Sequence, residues 1–161
     1  MKNIQKENIK HVWSILCGSS VIDQQTNNLS IHNVLEQLDL TLTVPKNTGL
    51  EKEKVGINQP VAIPFPFQLI SLFRRTNPNK VPNINVEIEL FDPIGLSLQK
   101  IEFKIDFPAD KSRMRSIISS PSIIVTNTGL YMFKIRIKDA DQDIFQEVAE
   151  IPIEIHVNKK I

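Results

Sequence analysis

Residues 131–137 read Tyr131-Met132-Phe133-Lys134-Ile135-Arg136-Ile137. Large apolar side chains stand at every second position, with Met132, Lys134 and Arg136 between them. Successive side chains of an extended strand point to opposite faces, so a period of two marks a strand with one buried face. The same alternation recurs four more times. It puts Leu38, Leu40, Leu42 and Val44 inward in 38–44, and Ile84, Val86, Ile88 and Leu90 inward in 84–90. Ile101, Phe103, Ile105 and Phe107 follow in 101–107, then Ile151, Ile153, Ile155 and Val157 in 151–157. Most positions between them are charged, Asn or Thr. Pro152 has no N–H to give to a ladder, which places its strand at a sheet edge there.

Composition points the same way. The 161 residues include 24 Ile and 4 Ala, a bias toward strand formers and away from the best helix former. No segment keeps a helical period. Less regular strands are expected at 11–17, 28–35, 66–74 and 113–125, the last interrupted near Pro121. Turn chemistry separates the segments at Asp92-Pro93-Ile94-Gly95, at Asn127-Thr128-Gly129 and at Asp139 to Asp143. Inward residues from so many strands need a second layer to bury them. The expected fold is therefore all-β: a two-layer antiparallel β-sandwich of immunoglobulin-like type, with eight or nine strands. Gly129-Leu130-Tyr131-Met132-Phe133 resembles the tyrosine corner of such sandwiches. Residues 1–9 read as an N-terminal tail and 10–158 as a single domain. Within it, 45–61 reads as a long polar loop, either solvated or ordered by a partner.

Charge and motifs limit the function classes. Nineteen basic and 18 acidic residues give a net charge of +1, and the chain has one Trp and one Tyr, so nucleic acid is not the expected partner. Cys17 is alone, so no intramolecular disulfide can form, which fits a reducing cytoplasm. Lys2, Lys6, Glu7 and Lys10 scatter charge through the start. The apolar run Val12–Cys17 is too short for a signal or a membrane span, so a cytoplasmic location is expected. The histidines His11, His32 and His156 stand apart in the sequence, and no nucleophile, phosphate-loop or zinc motif is present. Cys17 sits in an apolar run, where burial would raise its pKa and leave it inert. The chain is expected not to be an enzyme; a hydrolase with scattered catalytic residues is the third reading.

Three features carry the binding hypotheses. Val12-Trp13-Ser14-Ile15-Leu16-Cys17 and 61–73 are apolar without alternation. A strand apolar on both faces needs its second face covered, by the 45–61 loop, the N-terminal segment or another chain. The leading expectation is a partner protein, or a second copy of this chain, bound at Val12, Trp13, Leu69, Leu72 and Phe73, with Trp13 as anchor. Arg74, Arg75, Arg113 and Arg115, with Lys111, form a candidate anion site; the competing readings are a solvated strand face, or arginines opposing Glu87 and Glu89 across the sheet. Asp139, Asp141 and Asp143 could converge carboxylates on calcium at a sandwich tip, although an acidic hairpin turn is the preferred reading, since Asp is favoured in turns and the ligand set is incomplete. Apart from that calcium, no cofactor is expected.

Val12–Cys17 followed by Asp23–Glu36 resembles the opening of a family of short uncharacterised bacterial β-sandwich proteins of unknown function. Phe67–Arg75, Asp92–Gly95, Lys111–Arg115 and Gly129–Phe133 fit the same pattern in the same order. The resemblance covers residues 10–157. It implies a cytoplasmic bacterial β-sandwich and no particular activity.

Overall fold

The computed structural model describes residues 8–43, 59–140 and 142–160. Val44, most of the 45–61 loop and Asp141 lie outside the described residues. Nine strands run through them: β1 (Ile9–Ile22), β2 (Leu29–Val34), β3 (Gln37–Thr43), β4 (Val61–Arg75), β5 (Asn83–Phe91), β6 (Ser97–Asp106), β7 (Arg113–Val125), β8 (Gly129–Asp139) and β9 (Gln146–Lys160). They form a four-stranded sheet in the order β2-β1-β4-β7 and a five-stranded sheet in the order β3-β9-β8-β5-β6. The protein is the two-layer immunoglobulin-like sandwich that its alternating strands require.

The five cleanly alternating segments are the five strands of one sheet, β3, β9, β8, β5 and β6. Their inner faces carry Leu38, Leu40, Ile84, Val86, Leu90, Phe133, Ile135, Ile153 and Ile155 into the core. Leu16, Ile63, Phe67, Leu69 and Phe73 meet them from the four-stranded sheet.

Two strands depart from expectation in ways the backbone explains. β4 begins at Val61, earlier than 66, because a bulge between Pro64 and Phe67 absorbs the prolines without ending the strand. β3 pairs with β9 in parallel, Leu38 with Ile155 and Leu40 with Val157, whereas every other pairing is antiparallel. The chain leaves the first sheet after β2 and enters the second beside β9, where Glu154 N donates to Glu36 O at 3.0 Å. The β3 ladder begins at Glu154, so Pro152, paired with Met132, lies in the part of β9 that forms an edge, as expected.

The tyrosine corner is present and closes one end of the sandwich. Tyr131 is fully buried. Its hydroxyl donates to Asn127 O at 2.6 Å and accepts from Thr126 N at 2.9 Å and Asn127 N at 3.1 Å. Thr126 Oγ1 donates to Asp92 Oδ2 at 2.9 Å, and Asp92 Oδ1 accepts from the Ile94 and Leu96 amides. One phenol thus ties the β7–β8 turn to the β5–β6 turn. Tyr131→Phe would leave one buried and one partly buried amide without their acceptor. It should lower unfolding free energy by about 2 kcal/mol in urea titration, at unchanged m-value.

Candidate functional site

The four-stranded sheet is unusual on its outer face. Register places Ile15, Ile70 and Ile117 in one cross-strand row and Trp13, Leu72 and Arg115 in the next. The following row is Lys10, Arg74 and Arg113. β1 and β4 are therefore apolar on both faces, as their sequences require. Among the described residues, the cover is the β1–β2 hairpin, which is not among the covers expected from sequence. After Cys17, β1 leaves β4 and pairs only with β2, and the hairpin folds back across the sheet. Ser20 Oγ donates to Gln68 Oε1 at 2.7 Å. At the tip, Arg115 Nη2 donates to Asn27 O at 2.6 Å and to Asn27 Oδ1 at 2.8 Å. Ile70 and Cys17, on this outer face, are fully buried.

The tip is built to hold that position. Asp23 Oδ1 accepts from the Thr26 and Gln25 amides, and Asn27 N donates to Asp23 O. Those amides hold the Asp23 carboxyl below the usual carboxylate range. Asn27 adopts a φ of 56°, which Asn tolerates better than most residues.

Between the tip, the sheet and the β6–β7 loop lies a cleft of about 750 Å³. Trp13 and Leu72 line its floor. Ile22, Asn27, Asn28 and Leu29 line the hairpin side, and Asp110, Lys111, Arg113 and Arg115 the opposite side. Four sequence candidates, Trp13, Leu72, Arg113 and Arg115, thus converge. Arg74 stands beside Arg113 in the adjoining row. Leu69 and Phe73 do not join them: they are 2% and 0% exposed and face the core, on the opposite side of β4 from Leu72. A run apolar on both faces gives no alternation by which sequence could tell the two sides apart. Val12 is the extra residue of a β1 bulge between His11 and Trp13, and is exposed outside the cleft lining. Arg75 turns to the β6–β7 loop, donating from Nη1 to Ala109 O at 3.1 Å.

The two outer faces differ in electrostatics. On the five-stranded sheet, Arg136 Nη1 reaches Glu87 Oε1 and Glu89 Oε2, both at 2.6 Å. Lys100 meets Glu87 at 2.7 Å, and Lys134 meets Glu150 at 2.8 Å. Glu87 is 3% exposed. Burial pushes its carboxyl up, but hydrogen bonds from Lys100 and Arg136 outweigh this and hold it below the usual range. Glu87 and Glu89 are therefore taken by Arg136 and Lys100, which overturns the reading that pairs them with Arg113 and Arg115. Among the described residues, no carboxylate lies within ion-pair distance of Lys10, Arg74 or Arg113.

The remaining candidates fall elsewhere. Asp139 accepts from Asn8 Nδ2 at 2.8 Å on one oxygen and from Ala140 N at 2.9 Å on the other. Asp143 is exposed, and Asp141 lies outside the described residues. Among the described residues, no group of three His, Cys, Asp or Glu is arranged to hold a metal. Burial raises the Cys17 thiol. His11 Nε2 lies 2.8 Å from Ser14 Oγ, itself 2.7 Å from the Oγ of buried Ser71, and burial lowers the imidazole pKa. His156 lies on the outer face between Glu154 and Asp39, each 3.1 Å away, and both hydrogen bonds raise its pKa. Among the described residues, no helix is long and apolar enough to cross a membrane.

No protein-family model matches the chain, and no curated protein matches it in sequence. Solved structures do match the chain, among them two bacterial proteins. The C-terminal domain of wzt superposes with a TM-score of 0.50 at 10% identity, covering 97% of this chain and 77% of that one. An immunoglobulin-like protein from Pseudomonas aeruginosa superposes with a TM-score of 0.35 at 9% identity, covering 96% of this chain and 100% of that one. At 10% identity, the likeness to the wzt domain concerns the fold alone.

Arg136→Ala would strand the buried Glu87 with one exposed lysine as its remaining cation. We expect a loss of about 3 kcal/mol at neutral pH by urea titration, shrinking as acid protonates the glutamate. His156 has the opposite sign. Its raised pKa means that it stabilises the β3–β9 pairing when charged, an effect present below the unfolded pKa of about 6.5 and lost as pH rises through the folded value. The Tm difference between wild type and His156→Gln should be largest in mild acid and vanish in mild alkali.

Proposed function

We propose that this protein is a non-catalytic interaction module that takes a segment of another protein into the cleft on its four-stranded sheet. The observation that carries this reading is the preformed concavity on the outside of the sandwich, with Trp13 and Leu72, both half-buried, at its floor. Large aromatics in concave sites dominate interface energetics, and a cleft of about 750 Å³ falls within the usual range of ligand sites. The described cleft lining contains neither histidine nor cysteine, so its chemistry supports recognition better than hydrolysis. The reading needs no cofactor. A single buried thiol fits work in a reducing cytoplasm.

Trp13→Ala and Leu72→Ser test it separately. Each should leave a cooperatively folded protein by circular dichroism and weaken capture of a stoichiometric partner from lysate of the native organism by tenfold or more, roughly the 1.4 kcal/mol of a contributing interface residue. Light scattering distinguishes a second copy of the chain from a foreign partner. Full capture by both folded variants would remove the cleft as the binding surface.

A further inference from the structure

We infer that the cleft's occupant is an acidic peptide segment, with carboxylate side chains flanking an apolar residue; this rests on the reading of the cleft as a protein-binding site. The evidence is a row of like charges. Lys10, Arg74 and Arg113 are register neighbours across β1, β4 and β7, all exposed on one face. Like charges directly opposite in a sheet are destabilising. Elsewhere the chain avoids the problem: Glu87 and Glu102, also directly opposite, are bridged by Lys100 at 2.7 and 3.8 Å. The basic row has no such bridge among the described residues. It adjoins the row of Trp13, Leu72 and Arg115, so uncompensated cations border an apolar floor.

An occupant that satisfies both must be anionic at one end of the cleft and apolar over Trp13. Across the cleft, Asn28 and the Nδ2 of Asn27, whose Oδ1 already accepts from Arg115, offer amide groups suited to an extended backbone. A peptide with acidic residues flanking Leu or Phe supplies every element: carboxylates for the guanidinium forks, a side chain for the floor, and a backbone for the asparagines. A polyphosphate strand fits less well. Asp110 stands on the basic side of the cleft, and Trp13 is the chain's one tryptophan and the only aromatic in the described lining, so this lining offers no row of rings on which successive bases could stack.

That tryptophan also makes the test direct, since its emission reports on the cleft alone. The probes are a capped Glu-Glu-Leu-Leu-Glu-Glu peptide, the same peptide with Gln for Glu, and decathymidylate. We expect the acidic peptide to shift the emission saturably, with affinity falling as salt rises. The Gln peptide should have no effect. Arg74→Gln/Arg113→Gln should weaken the acidic peptide tenfold or more, and its Tm at low ionic strength should equal or exceed that of wild type. Lys104→Gln, on the other sheet, should change nothing. The proposal is overturned if the acidic peptide gives no saturable shift, if the double variant binds it as wild type does, or if decathymidylate binds more tightly. Should the natural partner bind the double variant at full strength but be lost on Trp13→Ala, the interaction reading stands and the acidic occupant is refuted. Loss with neither variant refutes the interaction reading itself.

Discussion

A two-layer sandwich buries one face of each sheet and leaves the other to water. Most features of this protein follow from how its two sheets meet that constraint. The five-stranded sheet meets it residue by residue, placing charge, Asn or Thr at alternate positions along its strands. The four-stranded sheet does not, since β1 and β4 carry Trp13, Ile15, Ile70 and Leu72 outward. The chain covers part of this face with its own β1–β2 hairpin, pinned by Ser20 to Gln68 and by Arg115 to Asn27. Because the cover is narrower than the face, a cleft remains beside it. The hydrophobic effect that folds the core thus also shapes the cleft outside it.

Charge is sorted between the same two faces. A net charge of +1 suggests an electrically neutral surface, yet it averages two unlike regions. One carries glutamates, lysines and an arginine in a connected network around the buried Glu87. The other carries Lys10, Arg74, Lys111, Arg113 and Arg115, and among the described cleft-lining residues Asp110 is the one carboxylate. Glu87, Glu89 and Glu150 are paired within the first region. The positive potential at the cleft is therefore a property of arrangement, which composition conceals.

How much could be read from sequence divides along the same line. Wherever one face met water, alternation identified the strand, its inner side and even the edge position of Pro152. The tyrosine corner was legible because its chemistry is local: Tyr131 bonds to residues four and five positions away. The four-stranded sheet was legible only as strands. With both faces apolar, Leu69 and Phe73 could not be told from Leu72, and parity was further scrambled by the bulges at Val12 and at Pro64 to Phe67. The hairpin's return over the sheet left one signal in sequence, the Asp23 to Asn28 turn chemistry, which locates a tip but not what it touches. The convergence of Trp13 with Arg113 and Arg115 depends on strand register, which no local pattern encodes.

The parallel β3–β9 ladder has a consequence for how the molecule comes into being. Asp39 and His156, which face each other across it, are 117 residues apart in the chain. At ordinary translation speeds of roughly 5–20 residues per second, β3 leaves the ribosome on the order of ten seconds before its only neighbour exists. During that interval Leu38 and Leu40 have no strand beside them. The sheet is assembled with β3 arriving first and being incorporated last, a long-range closure of the kind that slows β-rich folding and favours association between nascent chains. The short length of β3, with Asp39 and Thr41 on its outer side, reduces that hazard where the topology creates it.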